Sequence, residues 1–237
     1  MKTRMFAIVL SVLCIARTAS SWQTETGNQA ELKQRFAALK QALAENKARL
    51  RKYQWIENTE LSVKGDKKKD QQNACHYGPD GSVQKTPIGP PPESKDPPGG
   101  LRGKIAKKKI GEMKDYMDRL KGLISHYVPP DPQRIQSSYQ VGKENLNLSS
   151  GGQAAFTFSD YYKQGDKVTI GFDSASKRLT SYDVETYLDG PKDVVTLSNQ
   201  FATLPDNTNY LQQTTLTSKS KEIEIQTTNS DYTKIGQ

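Results

Sequence analysis

Two hydrophobic periods run along this chain. Leu32, Phe36, Leu39, Leu43, Leu50 and Tyr53 recur at helical spacing while charged residues fill the other face. This predicts an amphipathic helix from just after Thr26-Gly27-Asn28 to about Lys52. At Tyr53 the period falls to two: Tyr53, Trp55, Thr59, Leu61 and Val63 take one side of an extended segment, with Gln54, Asn58, Glu60 and Ser62 between them. Gly65-Asp66 marks a turn, a second strand runs through Asn73 to Tyr77, and a third returns from Ser82 to Ile88. The turn joining the last two is Gly78-Pro79-Asp80-Gly81, where proline presets one dihedral and glycine accepts a positive φ.

Residues 87–100 (PIGPPPESKDPPGG) hold six of the chain's twelve prolines, which excludes helix and central strand and predicts a stiff linker. A helical insertion over 101–139 follows. Ile110, Met113, Met117, Leu120, Ile124 and Tyr127 form its apolar stripe, lysines crowd its remaining surface, and Val128-Pro129-Pro130-Asp131-Pro132 stops it. A short helical turn is expected around Gln133 to Tyr139. After it the period is two again, in Ala154 to Phe158, Val168/Ile170/Phe172, Tyr182/Val184/Thr186/Leu188, Val195/Leu197/Phe201, Tyr210/Leu216 and Ile223/Ile225. Turn signals separate the sets, among them Asp173-Ser174-Ala175-Ser176, Asp189-Gly190-Pro191 and Leu204-Pro205-Asp206-Asn207. Strict alternation implies antiparallel strands with one apolar and one wet face. About eight strands and two long helices make an α+β chain, with helices segregated on one face of a curved antiparallel sheet.

The ends add a compartment. Lys2 and Arg4, the apolar run Phe6–Ala16 and the small residues Thr18-Ala19-Ser20-Ser21 have the order of a cleavable secretory leader, expected over 1–21 and leaving one domain over 22–237. The apolar run is shorter than the ~20 residues a bilayer span needs. With Lys2, Arg4 and Arg17 gone the net charge falls by three, from +8 to +5. That mild excess suits an anionic membrane surface or an acidic protein partner. Cys14 leaves with the leader, so Cys75 has no partner within the chain and is either buried in its strand or paired between chains.

Candidate chemistry changes little. The only histidines are His76 and His126. His76 neighbours Cys75 in a strand, so the two point to opposite faces and form no nucleophilic pair. His126 ends a helix, where a cation suits the dipole. No CxxC, HExxH or histidine pair at ligand spacing occurs, and the Asp173 turn lacks the glycine and closing glutamate of a calcium loop. No phosphate loop follows a strand. The expectation is therefore no catalysis, no metal and no cofactor. The lysine runs 67–69 and 107–109 lack interleaved aromatics, which argues against nucleic acid and for solvated faces or anionic headgroups. Met113 and Met117 read either as core or as an adaptable apolar surface.

The order of parts resembles the periplasmic lipoprotein-carrier superfamily: an N-terminal amphipathic helix, a strand opened by Tyr53-Gln54-Trp55, a helical insertion and a meander ending in Asn229-Ser230-Asp231-Tyr232. The resemblance spans about residues 30 to 235 and includes the blocks 186–197 (TYLDGPKDVVTL) and 201–216 (FATLPDNTNYLQQTTL). The proline linker and the basic helix depart from that pattern. The resemblance implies an unclosed β-barrel in the periplasm that holds a lipid, acyl chain or lipoprotein without catalysis. Its cavity would be lined from the sheet by Trp55, Leu61, Ile170, Phe172 and Val184, and further along by Leu188, Phe201 and Leu216. Met113 and Met117 would close it from the helix. The alternative is an envelope interaction module whose sheet interior is filled by its own side chains.

Overall fold

The computed structural model describes residues 41–42, 44–89, 100–140, 144–148, 153–173 and 175–236. The leader, most of the expected first helix and most of the proline stretch lie outside them. The chain divides into two units, 1–41 and 42–237, and the second of these carries the sheet.

Helix α1 (residues 44–50) precedes β1 (Tyr53–Val63), β2 (Asp66–Tyr77) and β3 (Val83–Ile88). Helices α2 (Gly100–Ile124) and α3 (Pro132–Gln140) follow. Then come β4 (Glu144–Leu148), β5 (Gln153–Ser159), β6 (Lys167–Asp173), β7 (Arg178–Tyr187), β8 (Val194–Thr203), β9 (Asn209–Ser218) and β10 (Ile223–Lys234). All ten strands form one open antiparallel sheet in the order β3-β2-β1-β10-β9-β8-β7-β6-β5-β4. The expected curved sheet with covering helices is thus present, with ten strands where about eight were expected. One strand that the alternation does not mark is β4, which among the described residues pairs with β5 alone and forms one edge. The second strand is longer than the expected 73–77, because the polar run from Asp66 to Gln72 pairs with β1.

Register lines up one apolar row across seven strands: Leu61, Ile225, Leu216, Leu197, Val184, Val168 and Phe158. The adjacent row on the same face is Thr59, Thr227, Thr214, Asn199, Tyr182, Ile170 and Phe156. Its left half is polar and bonded along the row. Thr59 and Thr227 hydroxyls are 3.1 Å apart, Thr214 donates to Asn199 Oδ1 at 2.8 Å, and Asn199 Nδ2 donates to the Tyr182 carbonyl at 3.0 Å.

Helix α2 covers the β5–β9 part of this face. Tyr116, Leu120 and Leu123 enter the core with Phe158, Val168, Val184 and Val195, all buried. Two tyrosines fix the helix over the turns at this end. The Tyr116 hydroxyl lies 2.9 Å from Asp193 Oδ1 and 2.5 Å from Ser218 Oγ. The Tyr127 hydroxyl donates to Asp166 Oδ2 at 2.6 Å and lies 2.7 Å from Thr186 Oγ1. Asp166 is fully buried and also accepts the Tyr162 and Lys163 amides, so no carboxylate oxygen is stranded. Burial and the neighbouring Asp166 carboxylate push the Tyr127 hydroxyl pKa up. The Asp131 carboxylate caps α3 by accepting the Gln133 amide at 2.8 Å, with Pro132 in the first helical position, where its missing N–H costs nothing.

Candidate functional site

The opposite end of the same face is built differently. Because the meander reverses at every turn, the β6–β7 and β8–β9 turns share this end with the start of β1 and the end of β2. Helix α1 is anchored there by Asn46. The Asn46 amide donates to the Asn209 carbonyl at 2.7 Å and its Oδ1 accepts the Asn209 amide at 2.7 Å, so the side chain imitates a strand neighbour at the start of β9. Asn209 Nδ2 in turn donates to the Leu179 carbonyl at 2.7 Å, tying the two turns together.

Between α1 and these turns lies a cleft of about 470 Å³. Its apolar wall is Leu50, Leu179, Phe201, Tyr210 and Leu211, all half-buried. Three cationic side chains, Arg49, Lys177 and Arg178, and two acids, Glu45 and Asp206, stand at its rim. Arg178 Nη2 donates to Asn207 Oδ1 at 3.0 Å, and Arg49 Nη2 donates to the neighbouring Asn46 Oδ1 at 3.4 Å. Asp206 is already engaged: it accepts from the Tyr53 hydroxyl at 2.6 Å and the Thr208 amide at 3.1 Å, and Lys234 Nζ lies 3.6 Å away. The Tyr53 bond holds the Asp206 carboxyl down at about 2, and the same bond pushes Tyr53 up to about 12. The rim thus carries three cationic groups and two acidic ones, a formal excess of one positive charge. Asn209 Oδ1 is buried without a hydrogen-bond partner among the described residues, which adds one acceptor to the wall.

Beneath the cleft is an aromatic stack. Tyr77 lines it, Trp55 lies 5.3 Å from Tyr77 and stacks on Tyr232 at 5.5 Å, and Tyr232 lies 4.5 Å from Tyr210, which lines the opposite wall. The Trp55 indole N–H donates to Asn229 Oδ1 at 3.0 Å, so its polar atom is satisfied while the ring is buried. Burial pushes the Tyr77 and Tyr232 hydroxyls up.

The expected cavity residues fall on both sides of this division. Leu61, Met113, Met117, Ile170, Phe172, Val184, Leu188 and Leu216 pack in or against the core beneath α2 and are absent from the cleft's lining. Phe201 touches that core and also lines the cleft. Trp55 lies under the cleft, in the stack with Tyr77 and Tyr232. Pattern reading passed over Asn46, Arg49, Arg178 and Asn209, which sit in a helix or at the first position of a strand, where alternation carries little information. The available signal was parity: two turns an even number of strands apart in a meander share an end.

Cys75 is buried, its thiol directed at the Asn73 carbonyl 3.8 Å away, and burial pushes its pKa up; His76 points to the exposed face. His126 stacks on Tyr162 at 4.1 Å. No group of three or more His, Cys, Asp or Glu side chains among the described residues is placed to hold a metal ion. No described helix is long and apolar enough to cross a membrane. A scan of family models and searches of curated proteins and of solved structures found no match to this chain.

Proposed function

We propose that this is an exported, non-catalytic carrier that holds an amphipathic ligand, an acyl chain or the acylated end of a lipoprotein, in the cleft under α1. One observation carries the reading: a cleft of about 470 Å³ with an apolar wall and cationic groups at its rim, at one end of an open sheet. Small-ligand sites are typically ~300–1,000 Å³ with mostly apolar walls and few convergent polar groups. Leu50, Phe201 and Leu211 would take the chain, and Arg49 and Arg178 the headgroup, because a guanidinium matches carboxylate or phosphate oxygens in a bidentate way. The ordered leader supports the exported location, and the resemblance to lipoprotein carriers supports the ligand class.

The test is fluorescence titration with dansyl-undecanoic acid, displaced by palmitate. Wild type should bind and release the probe, and Arg49→Ala with Arg178→Ala should weaken it about tenfold or more. A wild-type protein that takes up no probe, and that shows no lipid mass in native mass spectrometry after purification from its own envelope, would overturn the proposal. The second reading, an interaction module with a filled interior, is favoured by the packing of Met113 and Met117 against the core. It becomes the better one under that same negative result.

A further inference from the structure

We infer that the N-terminal half of α2 is a docking surface for an anionic lipid bilayer. The helix has 25 residues and so runs to about 37 Å. Its contacts with the core begin at Met113. Before that, every residue from Lys104 to Glu112 is exposed except the half-buried Ala106. Ile105 and Ile110 are 52 % and 59 % exposed, high values for branched apolar side chains. Beyond the buried Gly103, the stretch from Lys104 to Glu112 is held as helix by continuity with the packed half more than by burial of its own.

Ala106, Ile110, Met113 and Met117 stand at i, i+4, i+7 and i+11, one stripe along the helix. Lys107, Lys114 and Lys121 stand seven residues apart, which keeps them in a second stripe that drifts only ~20° per repeat, one position beyond the apolar one. All three are exposed, and among the described residues none has an acidic partner; Lys108 is the lysine that reaches Glu112, at 3.9 Å. The flank of the row is open as well. A Cβ placed on Gly111 or Gly122 would meet nothing within 4 Å.

The apolar stripe passes into the core at Met113 and Met117 and is exposed at Ile110, so beside the cationic row the helix presents an isoleucine to its surroundings, as a helix that lies in a membrane interface does. The charge type favours lipid over an acidic protein. Lysine is a compact, mobile point charge suited to a diffuse negative surface, whereas a specific carboxylate partner is better matched by the arginine fork. The one arginine on the packed half of the helix, Arg119, is already paired with Asp189.

The experiment is flotation of the full chain with vesicles of phosphatidylcholine alone or with roughly one third phosphatidylglycerol, at low and ~1 M salt. The wild type should favour the anionic vesicles, and high salt should abolish the preference. Lys107→Gln/Lys114→Gln/Lys121→Gln should reduce that preference about tenfold or more, and Ile110→Gln should lower it severalfold. A control removing the same charge elsewhere, Lys68→Gln/Lys69→Gln/Lys219→Gln, should keep it. All these positions are exposed, and unchanged near-ultraviolet circular dichroism confirms the fold. Equal loss in both triple variants, no preference in the wild type, or capture by polyglutamate but not by vesicles would each overturn the inference.

Discussion

One concave sheet face is treated in two ways at its two ends. Under α2, large side chains from helix and sheet interlock, and the tyrosine hydroxyls that reach in are bonded, Tyr127 to Asp166, Tyr116 to Asp193, and Tyr182 and Tyr161 to backbone groups. Under α1, Asn46 bonds the helix to the start of β9 and a cleft remains between them. The difference lies in the row that each helix meets. The α2 end offers Val168, Val184, Val195 and Phe158, branched or aromatic and fully desolvated. The α1 end offers tyrosines and turn residues that need water or partners for their polar atoms, so a dry closure would cost more than it returns. Packing thus fills one end and leaves a cleft at the other.

The largest effect that separates the ends is a cavity in the packed one. Phe158→Ala should cost about 3–5 kcal/mol in urea unfolding, because the helix above cannot collapse onto the void. Leu211→Ala in the cleft wall should cost only about 1 kcal/mol, since that side chain is already half solvated. Equal losses would erase the distinction. A smaller effect tests the anchors. Tyr127→Phe should cost about 1–3 kcal/mol by removing the donor that Asp166 faces, while the Tyr162 and Lys163 amides continue to serve that carboxylate. The smallest is a pH effect at the cleft end, where Tyr53 and Asp206 share one hydrogen bond. Asp206 is held below its ordinary 3.8, so its contribution is present above that value and fades as pH falls towards about 2. Tyr53 is raised above its ordinary 10.0, so its contribution is present below that value and fades as pH rises towards about 12. The melting-temperature gap between wild type and Tyr53→Phe should therefore be flat between these limits and shrink outside them. A gap unchanged at pH 3 and 11 would mean that it does not arise from the Tyr53–Asp206 bond.

Alternation made most of the sheet legible. Strands such as Tyr182–Thr186 and Val195–Leu197 bury one face and wet the other, and each buried residue is one that the spacing marks. The pattern failed where burial does not drive pairing. The first half of β2 (DKKKDQQ) has no apolar face and is extended because β1 supplies its ladder; Lys67 there also bridges Glu60 and Asp70 at 2.9 and 2.8 Å. β4 is a five-residue edge with two leucines, too short to show a period. The candidate site was less legible. Trp55 and Phe201 were marked as apolar, yet the cationic rim and the Asn46 clamp arise only when turns distant in sequence meet at one end of a finished sheet. Glu57 was also passed over. It is buried beside Trp55 and Asn73, with Lys85 Nζ 2.6 Å away, so an acidic residue occupies an inward position that alternation reserves for apolar ones.

The pairing of β1 with β10 sets an order in time. Every other neighbour in the sheet is also a neighbour in sequence, so the meander from β4 to β10 can zip up strand by strand, and the β1–β3 hairpins can form alone. The seam Tyr53↔Lys234 through Val63↔Ile223 must wait until the last strand exists. A chain emerging from its N-terminus therefore carries β1 as an uncovered edge, with Trp55 and Leu61 on its apolar face, through nearly the whole of its emergence. Its completion depends on the final strand, and a chain stopped short of residue 223 would hold two sheets with no shared ladder between them.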